Sequence, residues 1–228
     1  MELPRLDNSN LWDKTYIILK DQILRGEFQP HQKLSILDLA AQLGVSRTPV
    51  RDALNRLEMD GLITTVPRVG TFVNAVEVDD VYDAVESRLM VDLWVVDKLA
   101  TYPHEELLQK TEKLEEILNQ ASLHIEELSL EAYLKYNYNL LFHLEFIKLG
   151  NNAKNVDFYL EMMNYLLLAT ERSLITKEMA LSAIEQHFSI IEALKQRRFE
   201  NVKESIRLHL GDAKDRLIKR LQTNDHQL

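Results

Sequence analysis

Polar and apolar residues recur along most of this chain with the spacing of amphipathic helices, and the places where that spacing fails mark its joints. Residues 11–24 make one such helix, and GEFQPHQKL, from Gly26 to Leu34, reads as the turn that ends it. The stretch Ser35–Arg56 then predicts two short helices across a tight turn. Ser35 with Asp38 three residues on is an N-cap pattern. Leu37, Leu39, Ala40 and Leu43 supply an apolar face, with Ala40 small where two crossing helices come closest. Gly44 suits the positive φ of a sharp helix exit. Ser46 is placed to cap the second helix, and Pro49 falls in its first turn, where a missing N–H costs nothing. Val50, Ala53, Leu54 and Leu57 face inward, leaving Arg47, Thr48, Arg51, Asn55 and Arg56 to project outward.

From Gly61 the period drops to two. Leu62, Thr64 and Val66 alternate on one strand, Thr71 and Val73 on the next, and Pro67 to Gly70 form the tip. Helix, helix, turn, helix, hairpin is a winged helix-turn-helix, whose recognition helix enters the major groove of DNA. An ordinary helical hairpin in a globular core is the bland alternative for Ser35–Arg56 alone. The helix before it and the hairpin after it favour the DNA reader.

Beyond the short connection 74–78 the pattern is helical throughout, in six segments: 79–101, 104–120, 126–149, 152–173, 176–196 and 199–222. Pro103, Gly150-Asn-Asn and Arg198-Phe-Glu separate them. The expected fold is therefore mainly α: a winged helix-turn-helix of three helices and a β-hairpin over residues 1–76, then an all-α six-helix domain over 77–228. About 150 helical residues suffice to bury a core. The polar end from Gln222 to Leu228 is expected to fray.

No apolar run reaches the roughly 18 residues of a membrane helix, and the opening MELPRLDNSN has no signal-peptide core. With no cysteine as well, the expectation is a cytoplasmic protein without a membrane partner. The net charge of −9 is unusual for a DNA binder until it is divided. Residues 1–76 hold nine Lys/Arg and nine Asp/Glu and are neutral, so the whole excess of acid belongs to the helical part. Affinity for DNA then depends on the local arginine patch rather than the sum. A neutral reading domain implies modest affinity, which dimerisation would raise.

Leu24-Arg-Gly-Glu-Phe-Gln-Pro, Leu39-Ala-Ala-Gln-Leu-Gly-Val-Ser-Arg-Thr-Pro-Val-Arg-Asp-Ala-Leu-Asn-Arg-Leu-Glu, Gly61-Leu and Arg68-Val-Gly-Thr-Phe-Val closely resemble the GntR family of bacterial transcription regulators. The resemblance covers about the first 75 residues. It implies DNA contacts by Arg47, Thr48 and Arg51 from the recognition helix and by Arg68 and Gly70 from the wing. His31 stands where the family usually has glycine, so the turn there is expected to differ.

Histidines carry the chemistry of the helical part. On the third predicted helix Tyr136, Leu140, His143, Phe146 and Ile147 form an apolar stripe, with Asn139 one turn before His143. Ala180, Ala183, Ile184, His187, Ile190, Ile191 and Leu194 do so on the fifth, and Val202, Ile206, His209, Ala213 and Leu217 on the sixth. A single inward histidine is more often a hydrogen-bonded core residue than a ligand. Three are harder to bury without partners, and one divalent cation would satisfy them together. The histidines at 31, 104, 124 and 226 read as surface residues.

Asn139-Leu-Leu-Phe-His143 with Gly150-Asn151, Glu185-Gln-His187 with Ile190-Ile191-Glu-Ala193, and His209-Leu210 resemble the FCD-type effector domain of the FadR branch, in its six-helix VanR-like form. The resemblance implies a metal set of Asn139, His143, His187 and His209, zinc or nickel, with Asn139 where the family has Asp. It also implies an effector-gripping arginine four residues before an acid, which Arg88 and Asp92 match; Arg172 is a second candidate. A guanidinium fork suits a carboxylate.

Three functions follow. The first is a dimeric repressor of a pseudo-palindromic operator on double-stranded DNA, controlled by a small organic acid at a metal-containing pocket. The second is a regulator that senses the metal itself. The third is an enzyme with a three-histidine metal, for which no general base stands beside the histidine stripes.

Overall fold

The computed structural model describes residues 9–170 and 175–224. They divide into two compact units, residues 9–76 with 164–170, and residues 77–163 with 175–224.

In the first unit α1 (Ser9–Leu24), β1 (Lys33–Leu34), α2 (Ile36–Leu43), α3 (Arg47–Met59), β2 (Ile63–Val66) and β3 (Gly70–Val73) follow in order. Ser35 caps α2, its side chain accepting from the Asp38 N–H, and Gly44 ends the helix at φ 66°. Ser46 stands at the N-cap of α3 with extended backbone, yet its side chain makes no capping bond, contrary to expectation. Leu37 also departs from the predicted face: it is exposed, and Ile36 packs on the core in its place. The core joins Leu39, Ala40, Val50, Ala53, Leu54, Leu57, Leu62, Ile63 and Val73. Leu167 and Leu168, near the end of α8, pack on this core too, although their residues continue the helical part of the sequence.

The wing is a three-stranded antiparallel sheet in the order β1-β3-β2, not a bare hairpin. Two-residue β1 is too short to show alternation in sequence. In β2 the strict alternation fails as well: Leu62 and Ile63 are both buried, and Thr64, Thr65 and Val66 are exposed. His31 adopts φ 62°, the left-handed conformation that glycine takes without strain, and its N–H donates to the Val73 carbonyl at 2.9 Å. A histidine holds this conformation at more cost than glycine would.

The second unit is built of α4 (Val78–Ala100), α5 (His104–Glu127), α6 (Leu130–Tyr136), α7 (Tyr138–Lys148), α8 (Ala153–Ala169), α9 (Lys177–Lys195) and α10 (Phe199–Asn224). Only the first turns of α8, through Met163, belong to it. The helix expected over 104–120 runs on to Glu127 as α5, and the rest of the single helix expected over 126–149 is two, α6 and α7, broken where Asn137 takes φ 50°, ψ 47°. Neither glycine nor proline announces that break. It turns Tyr136 outward and Tyr138 inward, the reverse of the predicted stripe. Gly150 lies so close to α4 that a Cβ would meet Trp94 at 2.5 Å. Among the described residues no helix is long and apolar enough to cross a membrane.

Candidate DNA-reading surface and histidine centre

Pro49, Val50, Ala53, Leu54 and Leu57 bury one side of α3, which exposes Arg47, Thr48 and Arg51 on its first turns. Arg56 does not join them. Its guanidinium pairs with Asp13 at 2.8 Å and lies over the Tyr16 ring at 4.0 Å, fixing the recognition helix to α1. Tyr16 also hydrogen-bonds Asp60, which receives Lys20 Nζ at 2.8 Å. The C-terminal half of α3 is thus tied down, and its N-terminal half stays open.

At the wing tip the Val69 N–H bonds the Val66 carbonyl, with Pro67 at the second position and Arg68 at φ 65° in the third. That is the pattern of a type II turn, in which the third residue is usually glycine. An exposed arginine held there is backbone strain at a prospective contact. Gly70 is half-buried beneath the Lys33 side chain, at the start of β3.

In the second unit α7, α9 and α10 each deliver one imidazole to a common point. His143, His187 and His209 are 4%, 1% and 4% exposed. Their Nε2 atoms lie 3.0 Å (143–209), 3.1 Å (143–187) and 3.3 Å (187–209) apart. Phe142 stacks on the His187 ring at 4.0 Å, and Gln186 Oε1 meets His209 Nδ1 at 2.7 Å. Nitrogens held about 2.0–2.1 Å from one ion stand about 2.9 Å apart at right angles and about 3.4 Å apart at the tetrahedral angle. The observed triangle falls between those limits, so the donor set fits a divalent transition metal. Asn139 is not drawn into this cluster; it is exposed one turn before His143.

Burial pushes His143 well below the ordinary imidazole range, and the Arg88 charge and the other two rings add to it. Burial and then His209 and Arg88 do the same for His187. His209 is brought down to about 3 by burial and by Arg88 and Arg216. All three rings are therefore neutral at physiological pH, the form that ligates.

Arg88 acts on all three rings from α4. It is 4% exposed, and its Nε is 3.6 Å from Asp92 Oδ2, too far for a hydrogen bond. Arg88 Nε and Nη2, both Asp92 oxygens and the Tyr159 hydroxyl are buried without a hydrogen-bond partner. Burial pushes Asp92 up to about 7 against the pull of Arg88. Arg88 and Asp92 are thus no surface pair. Arg172 lies outside the described residues. Tyr159 and Gln186 carried no signal in sequence, because an apolar stripe accommodates the first and a helix flank the second. His124 is half-buried rather than on the surface: its Nδ1 is 2.6 Å from the Tyr138 hydroxyl. His31 and His104 are exposed, and His226 lies outside the described residues.

Residues 11–73 match the family described as bacterial regulatory proteins, gntR family, and residues 83–212 match the FCD domain. An HTH-type transcriptional regulator of Streptomyces ambofaciens is 42% identical over 84 residues, which span 37% of this chain and 36% of that protein. The transcriptional repressor RspR of Escherichia coli is 25% identical over 213 residues, 92% of this chain and 90% of that one. The solved structure of E. coli McbR/YncC superposes with a TM-score of 0.71 at 23% identity, covering 92% of this chain and 98% of that one. These relatives are regulators and not enzymes. The chain belongs to the GntR family of DNA-binding transcription regulators, with an FCD domain behind its winged helix.

Proposed function

We propose that the protein is a cytoplasmic homodimeric repressor that binds a pseudo-palindromic operator and releases it when a small carboxylate enters the helical unit. On DNA, Arg47, Thr48 and Arg51 of α3 and Arg68 and Gly70 of the wing make the contacts. The neutral charge of residues 1–76 supports pairing two such surfaces, since one alone offers few counterions to displace. A two-fold dimer in turn requires a two-fold operator.

The observation that carries the effector reading is the set of buried polar atoms in the second unit that lack partners. Buried donors and acceptors are almost always satisfied, and leaving one unmet costs about 1–3 kcal/mol. Arg88 offers two donors in a fork that suits two carboxylate oxygens. His143, His187 and His209 would hold a divalent transition metal, zinc or nickel. Asn139, exposed one turn before His143 on α7, is the fourth candidate ligand and would have to turn inward to join them. A cation there would supply positive charge for the effector's oxygens. Arg88 would orient the carboxylate, and the enclosing apolar helices would strengthen both attractions by excluding water. Arg172 is a further candidate anchor.

Elemental analysis of untagged protein purified without added metal, with thermal shift against a panel of small carboxylic acids, tests this reading. The expected result is close to one equivalent of a transition metal and stabilisation by at least one acid. Less than a few tenths of an equivalent and no stabilising acid would contradict it. Operator release on metal removal alone, without acid, would make the ion itself the signal.

A further inference from the structure

A short chain of hydrogen bonds runs from the solvent to the histidine centre, and its polarity is set at the outer end. Asp212 is exposed on α10, and its carboxylate can only accept. Gln186 Nε2 donates to Asp212 Oδ2 at 2.8 Å. The Gln186 amide is thereby turned with Oε1 towards His209, 2.7 Å from Nδ1. An amide oxygen also only accepts, so the proton must sit on Nδ1. A neutral imidazole has a single N–H, which leaves His209 Nε2 with its lone pair. That is the atom facing His143 and His187, at 3.0 and 3.3 Å. Without the acceptor, His209 could take the Nε2–H form and donate to a neighbouring Nε2. The centre would then close on a hydrogen bond between rings instead of presenting three lone pairs.

We propose that Gln186 is a positioning residue for a divalent transition metal. It locks His209 in the Nδ1–H tautomer, and Asp212 locks Gln186. The inference rests on the metal reading above, but the tautomer it assigns exists in the metal-free protein as well. Outer hydrogen bonds of this kind set ring orientation and ligand basicity, and their loss weakens metal binding by about 10–100-fold.

The test uses the full chain and zinc alone, with affinity read by competition against a chelator. Gln186→Leu removes the acceptor at a half-buried position, and Gln186→Glu retains one. Gln186→Leu is expected to weaken zinc by about 10–100-fold, with Gln186→Glu recovering most of the loss. Both metal-free variants should still unfold in one cooperative transition, so that a loss of zinc affinity is not a loss of the fold. Asp212→Asn, which lets the amide turn over, should fall between wild type and Gln186→Leu. Imidazole 15N shifts of the metal-free protein should report Nδ1–H at His209 in wild type and a gain of Nε2–H in Gln186→Leu. Equal zinc affinity in wild type and Gln186→Leu, or an unchanged His209 tautomer, would overturn the proposal. If wild type takes up no zinc, the metal reading fails, and the tautomer comparison still decides the role of Gln186.

Discussion

Arg51 and Arg88 carry the same guanidinium in opposite settings. Arg51 projects into water from the first turns of α3, with no ion pair among the described residues to hold it. Arg88 is enclosed in α4 with two N–H groups unmet and an acid just out of hydrogen-bonding reach. The difference recurs across the two units. Arg47, Thr48 and Arg68 leave their polar groups on the surface, where a polyanion can find them without any group being desolvated in advance. In the helical unit Asp92, Tyr159 and three imidazoles stand inside, where being unmet is costly. A surface built this way suits a large, flat, charged partner. An interior built this way suits a small one that can be surrounded.

The sharpest way to break that contrast is to remove an imidazole. His187→Ala and His209→Ala should each lose metal by more than the roughly 100-fold that an outer hydrogen bond can cost. Each should also lower the melting temperature of the metal-loaded protein, because an ion held by the three imidazoles would link α7, α9 and α10. Variants as stable as wild type, with wild type itself metal-free, would leave three packed core histidines.

A second prediction concerns acid. The three imidazoles have depressed values in the fold, so between about 6.5 and their folded values the unfolded chain binds more protons and stability falls as pH falls. Asp92 is raised to about 7, so it works the other way, taking up a proton in the fold between about 7 and 4. Three protons against one leave a net loss of roughly two, at most about 2.7 kcal/mol per pH unit. Urea midpoints measured in chelator from pH 6.5 down to 5 should fall, and His143→Ala should flatten the slope. A flat wild-type profile would show the rings to be less enclosed than described.

How much of this was legible beforehand depends on whether a feature leaves a period in the sequence. The buried faces of α2 and α3, the cap at Ser35 and the exit at Gly44 repeat over whole turns, and they are where the pattern put them, Leu37 excepted. The inward histidines were legible for the same reason, since each sits amid its helix's apolar stripe. What stayed hidden has no period. Two-residue β1 is defined by its partner, and Asn137 breaks a helix that reads as continuous because an asparagine can adopt αL unannounced. Arg56 is outward by helix geometry, but Asp13 and Tyr16 on α1 capture it. The unmet hydroxyl of Tyr159 depends on what is missing around it.

On the DNA-reading side the contrast is sharpened by comparing two arginines of one helix. Arg51→Ala should cost about 1–3 kcal/mol of operator affinity and relax preference at one base pair per half-site. Arg56→Ala should leave base preference alone and cost at most about 1 kcal/mol of stability, as for a partly exposed ion pair. Binding to variant operators, with chemical denaturation of each protein, separates the two. A uniform loss across sequences in Arg51→Ala, with a smaller salt dependence, would make it a phosphate contact.

The smallest effect expected is at the two serines that begin α2 and α3. Ser35→Ala removes an observed capping bond and should cost about 1 kcal/mol. Ser46→Ala removes none and should leave stability within a few tenths of a kcal/mol. Equal losses at both would mean that Ser46 caps α3 in solution.

The central claim, that a carboxylate inside the helical unit controls operator binding, is tested most directly at Arg88. An operator is selected from random DNA, and its affinity for wild type and Arg88→Ala is followed by fluorescence anisotropy while a stabilising acid is titrated. Wild type should release the DNA as acid is added, and Arg88→Ala should bind the same operator without acid and hold it at every concentration. Release by the variant at the same acid concentration as wild type would contradict the account and return Arg88 and Asp92 to the role of a buried ion pair.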